Sequence, residues 1–376
     1  VMKSLQVSFL NSRNEKLSAR LDLPQDEAPV AFALFAHCFT CTKNIKAAVN
    51  IATALNREKI AVLRFDFTGL GQSEGDFAET NFTTNVADLI SAAEFLSKSY
   101  QAPQIIIGHS LGGAAVLQAA GEIPSLRAAV TIAAPHDPGH VIRHFATIHE
   151  QIKEHGAAEV NLAGRQFTIK KQFLDDLEMQ RLDTHIKGLK TALLVMHSPR
   201  DNTVSIENAA QIYQAAKHPK SFVSLDNADH LLLKEQDSLY VGTMIAAWSR
   251  RYIDLSAQLE DDNILLDNRV TTGTGQEGFF TEIFANGHAM TADEPLSYGG
   301  TNRGPTPYEY LLAALGACTS MTLQMYARQK KIPLEKAIVR LTHQKIHADD
   351  CEHCEATNGK IDRMEREVEL IGELED

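Results

Sequence analysis

Between an apolar run at residues 104–107 and a run of small, helix-forming residues at 113–120 lies the pentapeptide Gly108-His109-Ser110-Leu111-Gly112. A chain that leaves a buried strand and enters a helix within so few residues must turn sharply. A Cβ at either flanking glycine would collide with the neighbouring strand and helix, so the pattern presents Ser110 on a strained turn with its hydroxyl exposed. The N–H of Leu111 then points to where the oxygen of an attacked carbonyl would gather charge, and the helix dipole favours that charge. A bland glycine-rich turn shares the spacing, but the strand before it and the helix after it favour a nucleophile.

The other apolar runs, at 30–35, 60–65, 128–133, 192–196 and 221–225, are continuous rather than alternating, as in parallel strands covered on both faces. Helical stretches at 44–56, 83–97 and 206–216 supply the crossovers, which predicts a doubly wound, mostly parallel α/β sheet. Residues 137–188 break the alternation and are expected to form a cap of helices over the sheet. The polar, acidic stretch 254–263 reads as a linker between a domain at 1–253 and a smaller α+β domain at 264–376. In that second domain, short strands punctuated by glycine (279–284, 288–291) precede a long apolar helix at 307–330 and strands at 336–346 and 363–371.

With 376 residues, two domains are the natural division. A net charge of −12 with no basic stripe argues against nucleic acid as a partner. No apolar stretch approaches the ~20 residues of a membrane helix and the first residues lack the pattern of a signal peptide, so no membrane partner and a cytoplasmic location are expected. Five cysteines, two of them in Cys351-Glu352-His353-Cys354, also fit a reducing compartment better than a secreted disulfide framework.

A serine hydroxyl near neutral pH needs a base, and the base needs an orienting acid. Asp201 follows the apolar run 192–196 and His230 follows the run 221–225, both in loops at the carboxyl edge of the predicted sheet, where open α/β sheets bind ligands. His197 and His218 compete for the base and Asp226 and Asp229 for the acid, but none combines that placement with the chain order Ser, Asp, His. The loop after residues 31–35, Ala36-His37-Cys38-Phe39-Thr40, offers the N–H of Phe39 as a second oxyanion donor beside that of Leu111. Cys38 reads as a small buried filler.

On these motifs, residues 5–252 resemble the α/β-hydrolase superfamily in its capped esterase and aminopeptidase-like branch. The resemblance implies hydrolysis of a small-molecule acyl substrate through Ser110, His230 and Asp201, with no cofactor and no metal. It departs at Cys38, which replaces a customary glycine.

In the second domain, Thr306 and Pro307 mark a helix start and Cys318 lies well inside the helix, where a buried, inert thiol is the bland expectation. The run Gly304-Pro305-Thr306-Pro307-Tyr308-Glu309 through Leu315-Gly316-Ala317-Cys318-Thr319, with Asp293-Glu294-Pro295 upstream, resembles the osmotically inducible protein C (OsmC) and organic hydroperoxide resistance family across 264–376. That resemblance implies that Cys318 is a peroxidatic thiol, that Glu309 belongs to a charge network near it, and that two subunits interlock into at least a homodimer. The family's arginine in the early glycine-rich turn has no match, which leaves Arg303 to support a thiolate. Its resolving cysteine would lie beyond Asp376, so the domain is expected to be truncated. Cys351 and Cys354 with His343 and His347 could form a zinc site, though a polar turn with free or reversibly paired cysteines is preferred.

The whole chain resembles bacterial fusions of an α/β-hydrolase to an OsmC-like domain. Two alternatives stay open: a second domain that serves only for dimerisation or ligand binding, and a thiol peroxidase whose serine site is decorative.

Overall fold

Successive residues of a strand point to opposite faces, so a run such as Ile105-Ile106-Ile107 can be wholly buried only if both faces are covered. A computed structural model of the chain describes residues 3–24, 28–38, 40–139, 146–162, 165–253, 269–276, 278–285, 288–347 and 360–373. In it Ile106 packs in a cluster with Leu89 and Val116, while Ile105 and Ile107 join Ala48, Ile51 and Ile245 on the other side. Each such isoleucine contributes roughly 1.5–3 kcal/mol relative to exposure. The chain divides into two compact units, Met2–Leu265 and Leu266–Asp376. The linker expected at 254–263 lies outside the described residues.

The first unit runs β1 (Lys3–Leu10), β2 (Lys16–Leu23), β3 (Ala31–Ala36), α1 (Lys46–Arg57), β4 (Ile60–Phe65), α2 (Phe82–Ser99), β5 (Ile105–His109), α3 (Leu111–Ala119) and β6 (Ala128–Ile132). It continues through α4 (Ala146–His155), β7 (Ala157–Leu162), β8 (Arg165–Lys170), α5 (Lys171–Met179), α6 (Leu182–Gly188), β9 (Ala192–His197), α7 (Glu207–Ala215), β10 (Lys220–Ser224) and α8 (Glu235–Ser249). Eight strands form one sheet in the order β1-β2-β4-β3-β5-β6-β9-β10. From β4 to β10 every pairing is parallel, as the apolar runs predict. The antiparallel hairpin β1–β2, whose apolar residues alternate with polar ones and so form no continuous run, extends one edge and pairs antiparallel with β4. A buried ion pair fastens it there: Arg64 Nε lies 2.5 Å from Asp22 Oδ2.

The cap differs from expectation. Helices α4, α5 and α6 are present, but β7 and β8 form an antiparallel hairpin among them. Only one of its faces meets the domain, so no continuous apolar run marks it. Phe167 of β8 packs on Phe77 with ring centroids 4.9 Å apart, and Asp176 of α5 accepts hydrogen bonds from the Thr83 N–H (2.9 Å) and hydroxyl (2.6 Å) at the start of α2.

The second unit holds an antiparallel sheet of β11 (Val270–Thr274), β12 (Thr281–Ala285) and β13 (His288–Ala292), the helix α9 (Pro307–Lys330), and a long antiparallel pair, β14 (Leu334–His347) and β15 (Lys360–Gly372). A capping box starts α9: the Glu309 N–H donates to Thr306 Oγ1 (3.3 Å) and the Thr306 N–H to Glu309 Oε2 (2.7 Å). No helix among the described residues is long and apolar enough to cross a membrane.

Candidate active site

Ser110 stands between β5 and α3 with φ 55° and ψ −126°, a left-handed backbone rare for a residue with a side chain. Two contacts hold it there. The Ser110 N–H donates to Ile132 O of β6 at 2.8 Å, and the glycines around it admit backbone where a side chain would stand. A Cβ on Gly108 would lie 2.4 Å from Gly112 O, and one on Gly112 would lie 2.4 Å from His37 O, so β5, α3 and the loop after β3 meet at van der Waals distance. Leu111, the first residue of α3, is buried, and its N–H has no partner inside the helix. The other expected oxyanion donor, Phe39, lies outside the described residues.

The structure brings Ser110, His230 and Asp201 together. The Ser110 hydroxyl donates to His230 Nε2 at 3.0 Å, and His230 Nδ1–H donates to Asp201 Oδ2 at 2.7 Å. Asp201 Oδ1 accepts from the N–H groups of Thr203 (2.8 Å) and Val204 (2.9 Å), which leaves Oδ2 to face the imidazole. Burial disfavours the Asp201 charge, but the bonds from His230, Val204 and Thr203 outweigh it and hold the carboxyl below its usual range. Asp201 thus stays ionised in a nearly dry setting.

Of the rival histidines, His197 adjoins the acid, its Nε2 3.6 Å from Asp201 Oδ2, and His218 does not. His197, at the end of β9, is buried, donates from Nε2 to Val204 O at 2.8 Å, and is pushed down in pKa by that burial. His218 is exposed before β10, away from the carboxyl edge, and Asp226 lies 2.5 Å from the Ser224 hydroxyl. Asp229 caps its own loop by accepting from the N–H groups of Leu231 (2.9 Å) and Leu233 (3.1 Å).

Two residues carry more than the sequence suggested. Cys38 is no inert filler: it is disulfide-bonded to Cys41, with Cα atoms 5.3 Å apart, in the loop that rests on Gly112. The Cys-x-x-Cys spacing was the available signal. His109, inside the pentapeptide, is fully buried and donates from Nε2 to His230 O at 2.7 Å. Burial, joined by the nearby His230, lowers its pKa to about 4.

In the second unit Cys318 is exposed, unlike the buried, inert thiol of the bland alternative, and it is the free cysteine among the described residues. Glu309 does not neighbour it within the chain: nine residues of helix separate them, about 13 Å of rise and half a turn about the axis. Its carboxylate caps α9 instead. The Arg303 guanidinium lies over the Phe280 ring, 4.1 Å from the centroid. Asp293 accepts from the N–H groups of Thr301 (3.0 Å) and Arg303 (3.1 Å), fixing the loop before α9. His343 bonds Asp362 Oδ1 at 2.7 Å and stacks on Tyr308. Cys351, Cys354 and the His347 side chain lie outside the described residues, and no group of three or more metal-ligating side chains occurs among those described.

Residues 41–176 match the family profile "Serine aminopeptidase, S33", and residues 300–376 match "OsmC-like protein". An esterase domain from Rhodothermus marinus is 49% identical, with a TM-score of 0.55, over 67% of this chain and 100% of that one. Est1E from Butyrivibrio proteoclasticus, solved with ferulic acid, shares the fold at 20% identity and a TM-score of 0.54, over 65% of this chain and 98% of that one. The mouse mitochondrial palmitoyl-protein thioesterase ABHD10 is 27% identical over 184 residues, which are 47% of this chain and 61% of the mouse protein.

Stability should fall as pH drops from about 6.5 to about 4. His109 and His197 have depressed folded-state pKa values, so the unfolded chain binds protons that the folded chain excludes. Their neutral forms are fully favoured above the unfolded value, and stability is lost as pH falls through the window, by roughly 3 kcal/mol for His109. Urea midpoints measured across that range should decline on the acid side, and a midpoint flat from pH 6.5 to 4 would contradict the assignment.

Proposed function

Because the chain belongs to the α/β-hydrolase superfamily and carries an OsmC-like domain behind it, we propose that the first unit is a serine esterase that hydrolyses a carboxylic ester or related acyl substrate. One observation carries this reading: the unbroken hydrogen-bonded line from the Ser110 hydroxyl through His230 to the buried Asp201 carboxylate. Ser110 Oγ attacks the acyl carbonyl as His230 Nε2 takes its proton, and Asp201 holds the imidazole tautomer and stabilises the imidazolium. The carbonyl oxygen becomes an oxyanion that the N–H groups of Leu111 and Phe39 receive. His230 then protonates the departing alkoxide or thiolate, leaving an acyl-serine. A water, deprotonated by His230, attacks that acyl carbon, and the His230 imidazolium returns the proton to Ser110 Oγ as the acyl–oxygen bond breaks, releasing the acid and free Ser110.

The acyl group is apolar on this reading. A narrow recess adjoins the nucleophile's helix and is lined by Leu111, Ala115, Phe67, Leu70 and Phe77, with the polar His37, Thr40 and Asn85 beside them.

For the second unit we propose a thiol that reduces an organic hydroperoxide within a homodimer. The exposed Cys318 supports it, standing in a stripe with Leu311, Leu315 and Met325, all exposed apolar side chains at helical spacing. The thiolate takes the terminal oxygen of the hydroperoxide, giving a sulfenic acid and an alcohol.

Ser110→Ala should lower ester hydrolysis by about 10⁴ to 10⁶ in turnover while the protein melts normally, and Asp201→Asn should lose much of the rate by favouring the wrong tautomer. More than a tenth of wild-type turnover in purified Ser110→Ala removes the serine reading. Peptide mass mapping after one equivalent of cumene hydroperoxide should place oxidation on Cys318, and a spared Cys318 leaves the second unit a structural module. Sedimentation should give a dimer that Met325→Glu dissociates. A wild-type monomer excludes the paired arrangement.

A further inference from the structure

We propose that His109 is a positioning residue that fixes the His230 imidazole against Ser110 through the backbone of His230 itself. The inference rests on the catalytic reading of Ser110, His230 and Asp201. His109 is the last residue of β5 and Ser110 is the next residue in the chain, so the two share one rigid strand end. From that end, His109 Nε2–H reaches the His230 carbonyl at 2.7 Å, and the two rings lie with centroids 5.3 Å apart. Nucleophile and base are therefore linked twice: by their own 3.0 Å hydrogen bond, and by a backbone route that runs from Ser110 through His109 to His230 O.

The other bonds of that loop do not replace this one. The Asp229 carboxylate accepts from Leu231 and Leu233, which ties the loop to itself and not to β5. Asp201 steers the far side of the imidazole, and Leu225, Ala228 and Leu232 anchor the loop to β9 and the core on either side of His230, while the His230 carbonyl itself is held from β5.

The chemistry of the ring fits the role. Donating from Nε2 requires a neutral imidazole with a bare Nδ1, and His109 Nδ1 is buried without a hydrogen-bond partner among the described residues. Burial first, and then the nearby His230, keep the ring neutral, with His37 and Asp201 the other ionisable groups acting on it. His230 therefore meets no permanent neighbouring cation when it takes the serine proton. A donor with a fixed positive charge at 109 would oppose that step, and an apolar ring would preserve the packing while releasing the carbonyl.

The test compares His109→Phe with His109→Gln in the full chain, using p-nitrophenyl butyrate and titrating active sites by the nitrophenol burst. The glutamine amide places an N–H near the position of Nε2, whereas phenylalanine fills the space without donating. His109→Phe should lose about 10- to 100-fold in kcat per titrated site, with KM within twofold and the acid limb of the rate profile displaced. His109→Gln should recover to within about threefold of wild type. A merely structural role would lower the number of titratable sites and leave the rate per site and the acid limb alone, and that result overturns the proposal. If His109→Phe does not fold, His109→Asn carries the same comparison, because its shorter amide cannot span to the carbonyl. Labelling of wild-type Ser110 by a fluorophosphonate separates the two levels. No labelling defeats the serine reading itself. Normal labelling, with a His109→Phe rate like wild type, defeats only the positioning role.

Discussion

The left-handed backbone of Ser110 is the constraint on which the first unit depends. A side chain at φ 55° costs of order 1–3 kcal/mol and persists only where the surroundings over-determine it. Here the surroundings are the best-buried part of the protein. The Ser110 N–H is claimed by β6, β5 and α3 approach so closely that only glycine fits at 108, and α3 presses on the loop after β3. The parallel sheet with its two covering layers is what supplies that rigidity, and the hydroxyl stands proud because the backbone beneath it has nowhere else to go.

Buried charge extends the same frame. Asp22 and Arg64 join the edge hairpin to β4, the Arg64 guanidinium also donates to Lys43 O, and Lys43 pairs with Asp66 beneath the loop that carries the Cys38–Cys41 disulfide. Such pairs return little net stability against well-packed apolar side chains, but removing one partner strands a buried charge at a cost of several kcal/mol. They act as locators, fixing the loop beside Ser110 in one place.

Much of this was legible in the sequence, for physical reasons that differ by element. Strands covered on both faces announce themselves as unbroken apolar runs, so β3, β4, β5, β6 and β9 read to within a residue or two. The start of helix α9 read because Thr306 and Pro307 mark it. The hairpins β1–β2 and β7–β8 did not read, since their apolar residues, such as Leu17, Ala19 and Leu21, alternate with polar ones and form no unbroken apolar run. Loop placement at strand ends, with chain order, pointed to Asp201 and His230, the two residues the structure brings into line with Ser110. What sequence could not convey was pairing across distance: that His109 reaches the backbone of a residue more than a hundred positions away.

The contact between Gly112 and the His37 carbonyl has an evolutionary consequence. With 2.4 Å available, no side chain of any kind enters that seam, so the heart of the site cannot be reshaped by the small stepwise substitutions through which new specificities usually arise. Room for a changed side chain lies further out, at the cap hairpin and its neighbours, where the half-buried Phe77 and Phe167 meet. A lineage built on this frame can change what it accepts only by altering the roof, while the floor is inherited whole.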